Sequence, residues 1–119
     1  MPVIPETIRP TIHILCAPNG SPEILKQIQY GIEEEGIPWE TNMGEGDAIS
    51  LAWKASQDSR LEVGVGLDDQ TAVLQFSKLK REKPLFSVSV RSTPETFRGL
   101  GANAGRLVKK QPLKILNGR

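Results

Sequence analysis

Apolar positions along the chain change period several times, and the changes mark out its elements. Residues 11–17 (TIHILCA) are a β-branched, apolar run that predicts a first strand. Ser21-Pro22-Glu23 then starts a helix: serine as cap, proline at the first helical position, an acid in the first turn. Ile24, Leu25, Ile28 and Ile32 share one face of it at helical spacing, and Gly36 stops it. Residues 37–41 read as a short second strand, placed near a sheet edge by Pro38. After a Gly44-Glu45-Gly46 loop, Asp47 caps a second helix. Its buried stripe is Ala48, Leu51, Ala52 and Ala55, with Ile49 and Trp53 on the flank.

Residues 61–67 (LEVGVGL) predict a third strand in which valines alternate with glycines. Asp68-Asp69-Gln70 is too short to hold a crossover helix, so residues 71–76 (TAVLQF) must return as an antiparallel hairpin partner. A basic loop, residues 77–84, leads to a fifth strand at 85–90. Thr93-Pro94-Glu95 repeats the earlier start signal for a last helix reaching about Lys110. Two βαβ units and a hairpin imply an α/β fold, a three-layer α/β/α sandwich. Its five-stranded sheet is mixed but mostly parallel, with the fourth strand reversed. Residues 1–10, with three prolines, are expected to form an extended tail, and residues 11–119 a single domain.

Composition narrows the function classes. Fifteen basic residues stand against fourteen acidic ones, so no global charge points to nucleic acid or to an anionic membrane. No run approaches the ~20 apolar residues of a membrane span, and a lone cysteine, Cys16, suits a reducing compartment. A cytoplasmic protein with no nucleic-acid or membrane partner is the expectation. His13 is the only histidine and lies in a strand, which leaves no triad and no multi-histidine metal site. Asp68 and Asp69 have no nearby His, Lys or third acid and read as turn formers. Cys16 reads as a packed thiol at a strand end. No G-x-G-x-x-G opens a helix; Gly64 and Gly66 lie inside a strand, where missing side chains let a helix approach. Gly99, Gly101 and Gly105 weaken the last helix, and close helix–sheet approach is the expected reason. No catalytic residue is expected.

The feature that does not fit plain folding is Glu33-Glu34-Glu35 at the end of the first helix. The helix dipole is negative there, and each acid should cost roughly 0.3–1 kcal/mol. Around the helix, Glu35 falls near the buried face and Glu34 almost opposite it, on an outer surface shared with Glu23, Gln27 and Tyr30. An exposed tyrosine one turn before a carboxylate is a pairing found at protein interfaces. A merely solvated acidic face accounts for the same residues. Consecutive helical carboxylates diverge, so the run cannot enclose a metal by itself, although one glutamate could complete a shell on another chain. Arg98 and Arg106 form an expected outward basic stripe, and Lys78, Lys80, Arg81 and Lys83 a basic loop.

Residues 31–38 (GIEEEGIP), 52–55 (AWKA), 63–66 (VGVG), 84–86 (PLF) and 103–108 (NAGRLV), in this order and spacing, resemble the small subunits of reactivating factors for adenosylcobalamin-dependent diol and glycerol dehydratases. The resemblance runs from residue 11 to 113. It implies a non-enzymatic subunit with the fold of the dehydratase medium subunit. The expected partner is a large subunit with an actin-like ATPase domain that holds ATP or ADP, two large and two small subunits forming a heterotetramer. The complex would release damaged cobalamin from inactivated dehydratase by subunit swapping, acting on cobalamin only indirectly. The family's middle acidic residue meets magnesium near that nucleotide, which here is Glu34. Gln27, Tyr30, Glu33, Glu34 and Glu35 are the expected partner-binding residues. The medium subunit of the dehydratase is the competing resemblance, but residues 67–71 (LDDQT) are acidic where a phosphate-bearing ligand would approach. An independent nucleotide-binding module is a third, weaker alternative. Glycerol or propanediol dehydratase as client, and association with a bacterial microcompartment, are left open.

Overall fold

The computed structural model describes residues 10–116; the expected N-terminal tail lies almost wholly outside them. The elements run β1 (Ile12–Cys16), α1 (Pro22–Glu34), β2 (Trp39–Met43), α2 (Ala48–Asp58), β3 (Val63–Leu67), β4 (Thr71–Phe76), β5 (Phe86–Ser89) and α3 (Pro94–Lys109). They build one five-stranded sheet in the order β2-β1-β3-β4-β5. β1 pairs in parallel with β2 and β3, and β4 runs antiparallel to both neighbours. The short β3–β4 link explains the reversal. Asp68 accepts hydrogen bonds from Gln70 N and Thr71 N, each at 2.7 Å, and closes the turn.

Two strands begin two residues later than the sequence reading. β2 begins at Trp39, two residues later than expected. The carbonyl of Pro38 accepts from Ile12 N at 2.9 Å and sets the register Ile12 opposite Trp39. β3 begins at Val63 because Glu62 has a left-handed backbone, φ +64°, which interrupts an extended strand.

Caps fix the helix starts as the sequence indicated. Ser21, Asp47 and Thr93 each accept from the backbone N–H three residues on. α1 and α3 pack together on one face of the sheet, and α2 covers the other. Strand alternation divides the core accordingly. Ile12, Ile14, Val63, Val65 and Leu67 meet Ile28, Ile32, Phe97 and Leu100 from the two helices. On the reverse face, Gly64 and Gly66 lie under α2. A Cβ on Gly64 would stand 2.2 Å from Ser56 N, and one on Gly66 2.2 Å from Ala48 O. These strand glycines therefore set the depth at which α2 seats.

The helix-three glycines have a different use from the expected one. A Cβ on Gly101 would lie 2.0 Å from Ile28 O, and one on Gly31 2.0 Å from Arg98 O. The close approach is between α1 and α3, not between α3 and the sheet. Gly105 accommodates the Glu35 side chain, and Gly99 accommodates Leu116.

Candidate functional site

The α1–α3 crossing decides which surface residues meet. Because Gly31 lets the helices touch backbone to backbone, Arg98 on α3 emerges beside the outer face of α1. Its Nε and Nη2 both donate to Gln27 Oε1, at 3.2 and 3.0 Å. Tyr30, Glu33, Glu34 and Arg98 then line one shallow surface concavity. Tyr30 is 45% exposed, Glu33 and Glu34 are exposed, and Gln27 is half-buried. An aromatic ring, an anchored guanidinium and two carboxylates on one face make a surface suited to a charged protein partner.

The three consecutive acids do not share one fate. Glu35 turns inward, with only 12% of its side chain exposed, and binds two cations of α3. Lys109 Nζ donates to Oε1 at 2.8 Å and Arg106 Nε donates to Oε2 at 3.2 Å. The Lys109 hydrogen bond, reinforced by Arg106, holds the Glu35 carboxyl below the usual glutamate range despite the opposing effect of burial. These cations also offset the dipole penalty expected of an acid at this helix end. Arg106 is therefore half-buried and paired rather than part of an outward basic stripe, and only Arg98 faces outward as expected.

Glu33 and Glu34 keep the penalty. Neither side chain has a hydrogen-bond or ion-pair partner among the described residues, and α1 carries no basic residue in its last turn. Geometry thus separates one structural acid from two whose carboxylates this fold leaves exposed and unpaired. Among the described residues no group of three His, Cys, Asp or Glu could hold a metal ion. The diverging Glu33 and Glu34 carboxylates fit only a shell whose other ligands come from water, phosphate or a second chain.

The other chemistry-bearing residues have folding roles. Asp68 Oδ2 accepts from Ala48 N at 2.8 Å, so this aspartate both closes the β3–β4 turn and caps α2. His13 Nε2 lies 2.9 Å from Glu40 on the neighbouring strand. Cys16 is buried, and burial pushes its thiol up, away from the reactive thiolate. One residue the sequence reading did not single out is Asn103, fully buried in α3. Its Nδ2 donates to Lys114 O at 3.0 Å and its Oδ1 accepts from Lys114 N at 2.6 Å, tying the C-terminal segment to the helix. A polar residue on a stripe of small residues was the available signal.

Comparison with known proteins bears on the fold and the family. The dehydratase medium subunit family model matches residues 9–114. The small subunit of the diol dehydratase-reactivating factor from Klebsiella michiganensis is 34% identical over 100 residues, covering 83% of this chain and 80% of the relative. A solved glycerol dehydratase reactivase chain superposes with a TM-score of 0.86 at 34% identity, covering 90% of this chain and 98% of that one. A diol dehydratase-reactivating factor solved with ADP and Mg2+ superposes with a TM-score of 0.84 at 32% identity, covering 90% and 99%. The fold expected from the residues is therefore the fold of these relatives. The chain belongs to the dehydratase medium subunit family and, within it, to the small subunits of dehydratase-reactivating factors.

Proposed function

We propose that this chain is the non-catalytic docking subunit of a chaperone that reactivates an adenosylcobalamin-dependent diol or glycerol dehydratase. The observation that carries the reading is Glu34. It is an exposed carboxylate at the negative end of α1, without an internal partner, beside Tyr30 and an Arg98 anchored by Gln27. The placement works against the helix's own stability, which supports a role toward a second polypeptide over a merely solvated acidic face. The partner is a large subunit that holds the nucleotide and carries the ATPase, assembled as two large and two small subunits. Glu34 would complete the shell of a magnesium ion near that nucleotide, with Glu33 beside it. Magnesium would supply positive charge bridging the two chains. This chain's part is to present the carboxylate on a rigid helix end, with Glu35 holding α3, and therefore Arg98, behind it.

The presence of ADP and Mg2+ in a solved relative supports a nucleotide-linked role. The shared family with the dehydratase medium subunit supports exchange as the working step. The large subunit would give up this chain for a similarly folded rival, and damaged cobalamin would leave the opened enzyme. Co-purification with the large subunit in the presence of magnesium and nucleotide tests the reading. Glu34→Ala should weaken the complex by ~2–5 kcal/mol, the usual cost of removing one partner of a close charge pair at an interface. Unchanged binding would reject the role of Glu34.

The family description also admits a second reading, a medium subunit that contacts cobalamin inside the dehydratase itself. Against it, the segment after β3 offers Asp68 and Asp69, with Asp68 already engaged by three backbone N–H groups. Equilibrium dialysis of cobalamin with this chain and the catalytic chain separates the two: cobalamin retained in an active holoenzyme would favour the second.

A further inference from the structure

Arg98 lines the concavity of Tyr30, Glu33 and Glu34, and its hydrogen bonds leave half of its guanidinium unused. A guanidinium carries five N–H donors in a fixed planar arrangement, which gives it a side-on and an end-on fork. The side-on fork, Nε with Nη2, is spent on a single oxygen, Gln27 Oε1, at 3.2 and 3.0 Å. The end-on fork, Nη1 with the second Nη2 proton, has no partner among the described residues. Acids stand near it all the same. Glu33 and Glu34 share this concavity with Arg98, and Glu95 shares with it a neighbouring one that also holds Lys114. No ion pair among the described residues involves Arg98. Gln27 is neutral, so it aims the group without cancelling its charge. The backbone is placed from the same helix, because Gly31 of α1 seats against Arg98 O. Arg98 is therefore a cation held in one direction by α1 with a fork left open.

We infer that Arg98 is a specificity-determining residue of the docking face, and that its open fork takes a carboxylate of the large subunit. The inference rests on the proposed docking role, which puts the large subunit over this concavity. A planar carboxylate meets the end-on fork with two parallel N–H···O bonds, a geometry that a lysine ammonium does not reproduce. A nucleotide phosphate offers similar oxygens but more negative charge. Around the site Glu33, Glu34 and Glu95 outnumber Arg98 and Lys114, so a singly charged carboxylate is repelled less. The face then carries alternating signs. Glu34 calls for a cation, and Arg98 calls for an acid beside it. A partner surface with both in the matching order fits in one register, whereas a uniformly basic one meets repulsion at Arg98.

The test titrates the parent, Arg98→Lys, Arg98→Ala and Glu34→Ala chains against the large subunit, with and without ADP and Mg2+. Arg98→Lys keeps the charge and loses the fork. It should bind ~10-fold or more weakly than the parent in both arms, and Arg98→Ala at least as weakly, the loss expected for hydrogen bonds to a charged group. Melting temperatures of both should stay close to the parent's, because the side chain is exposed. Carbodiimide, which joins an amine to a carboxylate with loss of water, gives a second readout. In the saturated Arg98→Lys complex it should couple position 98 to an aspartate or glutamate of the large subunit. Arg98→Lys binding within about twofold of the parent would overturn the inference, since a bare charge would then suffice. A loss confined to the arm with ADP and Mg2+ would overturn it in favour of a phosphate ligand. Absence of coupling at position 98 would overturn it as well. If Glu34→Ala weakens the complex and neither Arg98 variant does, only the role of Arg98 falls. If the parent chain binds no large subunit, the docking role falls and takes this inference with it.

Discussion

Three neighbouring glutamates show how far single residues can be read without their neighbours in space. Helical geometry separated outward Glu34 from inward Glu35, and the structure keeps that separation. What the chain could not display locally is the pairing of Glu35 with Arg106, 71 residues away. The pair carries a pH prediction with a definite sign. The folded value of Glu35 lies below the usual 4.5, so protonation favours the unfolded chain. Its contribution is fully present above the usual value and is lost as pH falls through the lower folded one. Glu35→Gln should therefore cost about 1 kcal/mol near neutral pH, in the range of partly exposed ion pairs. The difference from the parent should shrink at about pH 3. Urea denaturation of both chains at the two pH values checks this, and an equal difference at both would reject the pairing as its source. Asn103 makes a parallel case with no titration. Asn103→Ala leaves the Lys114 N–H and C=O without their buried partner and should cost ~1–3 kcal/mol. Hydrogen exchange at Lys114 should rise with it, and protection equal to that of the parent would contradict the assignment.

At the scale of elements, caps and strand patterns were readable because they depend on residues three or fewer apart. Ser21, Asp47 and Thr93 sit at the helix starts the sequence marked. The helix-three glycines were readable as packing residues but not as to their neighbour, since periodicity reports a face and not what covers it. In the fold that neighbour is α1, and the contact is tight enough to predict a consequence. Gly31→Ala places a methyl about where Arg98 O and Ala102 N already stand, 2.0 and 2.7 Å from the new Cβ. Both are backbone atoms, so the helices themselves must separate. Overpacking of this kind costs typically ~1–3 kcal/mol, against which alanine's better helix propensity returns only up to ~1 kcal/mol. The net change should be a lower melting temperature, accompanied by loss of the Arg98–Gln27 contact and weaker large-subunit binding. A variant as stable as the parent would show that α1 and α3 are not held at this crossing.

At the scale of the whole molecule, the reversed fourth strand followed from one local fact, that Asp68-Asp69-Gln70 cannot contain a crossover helix. The partner was legible only as a deficit. Two exposed carboxylates stand at a helix end without a side-chain partner among the described residues, and the proposed role gives them one in the assembly. Under the proposed role, the metal becomes the variable to test in the complex. If magnesium links Glu34 to the large subunit, metal and small subunit must promote each other's binding equally, with a coupling of about 5–150-fold. Chelating magnesium from the parent complex should then lower small-subunit affinity by a factor in that range. In Glu34→Gln the same treatment should change affinity by less than about twofold, because the amide cannot replace the charged ligand. Titrating small subunit against nucleotide-loaded large subunit, with and without chelator, gives all four affinities. Equal chelator sensitivity in both chains would assign magnesium wholly to the large subunit. Glu34 would then act as a simple charge facing a cation across the interface.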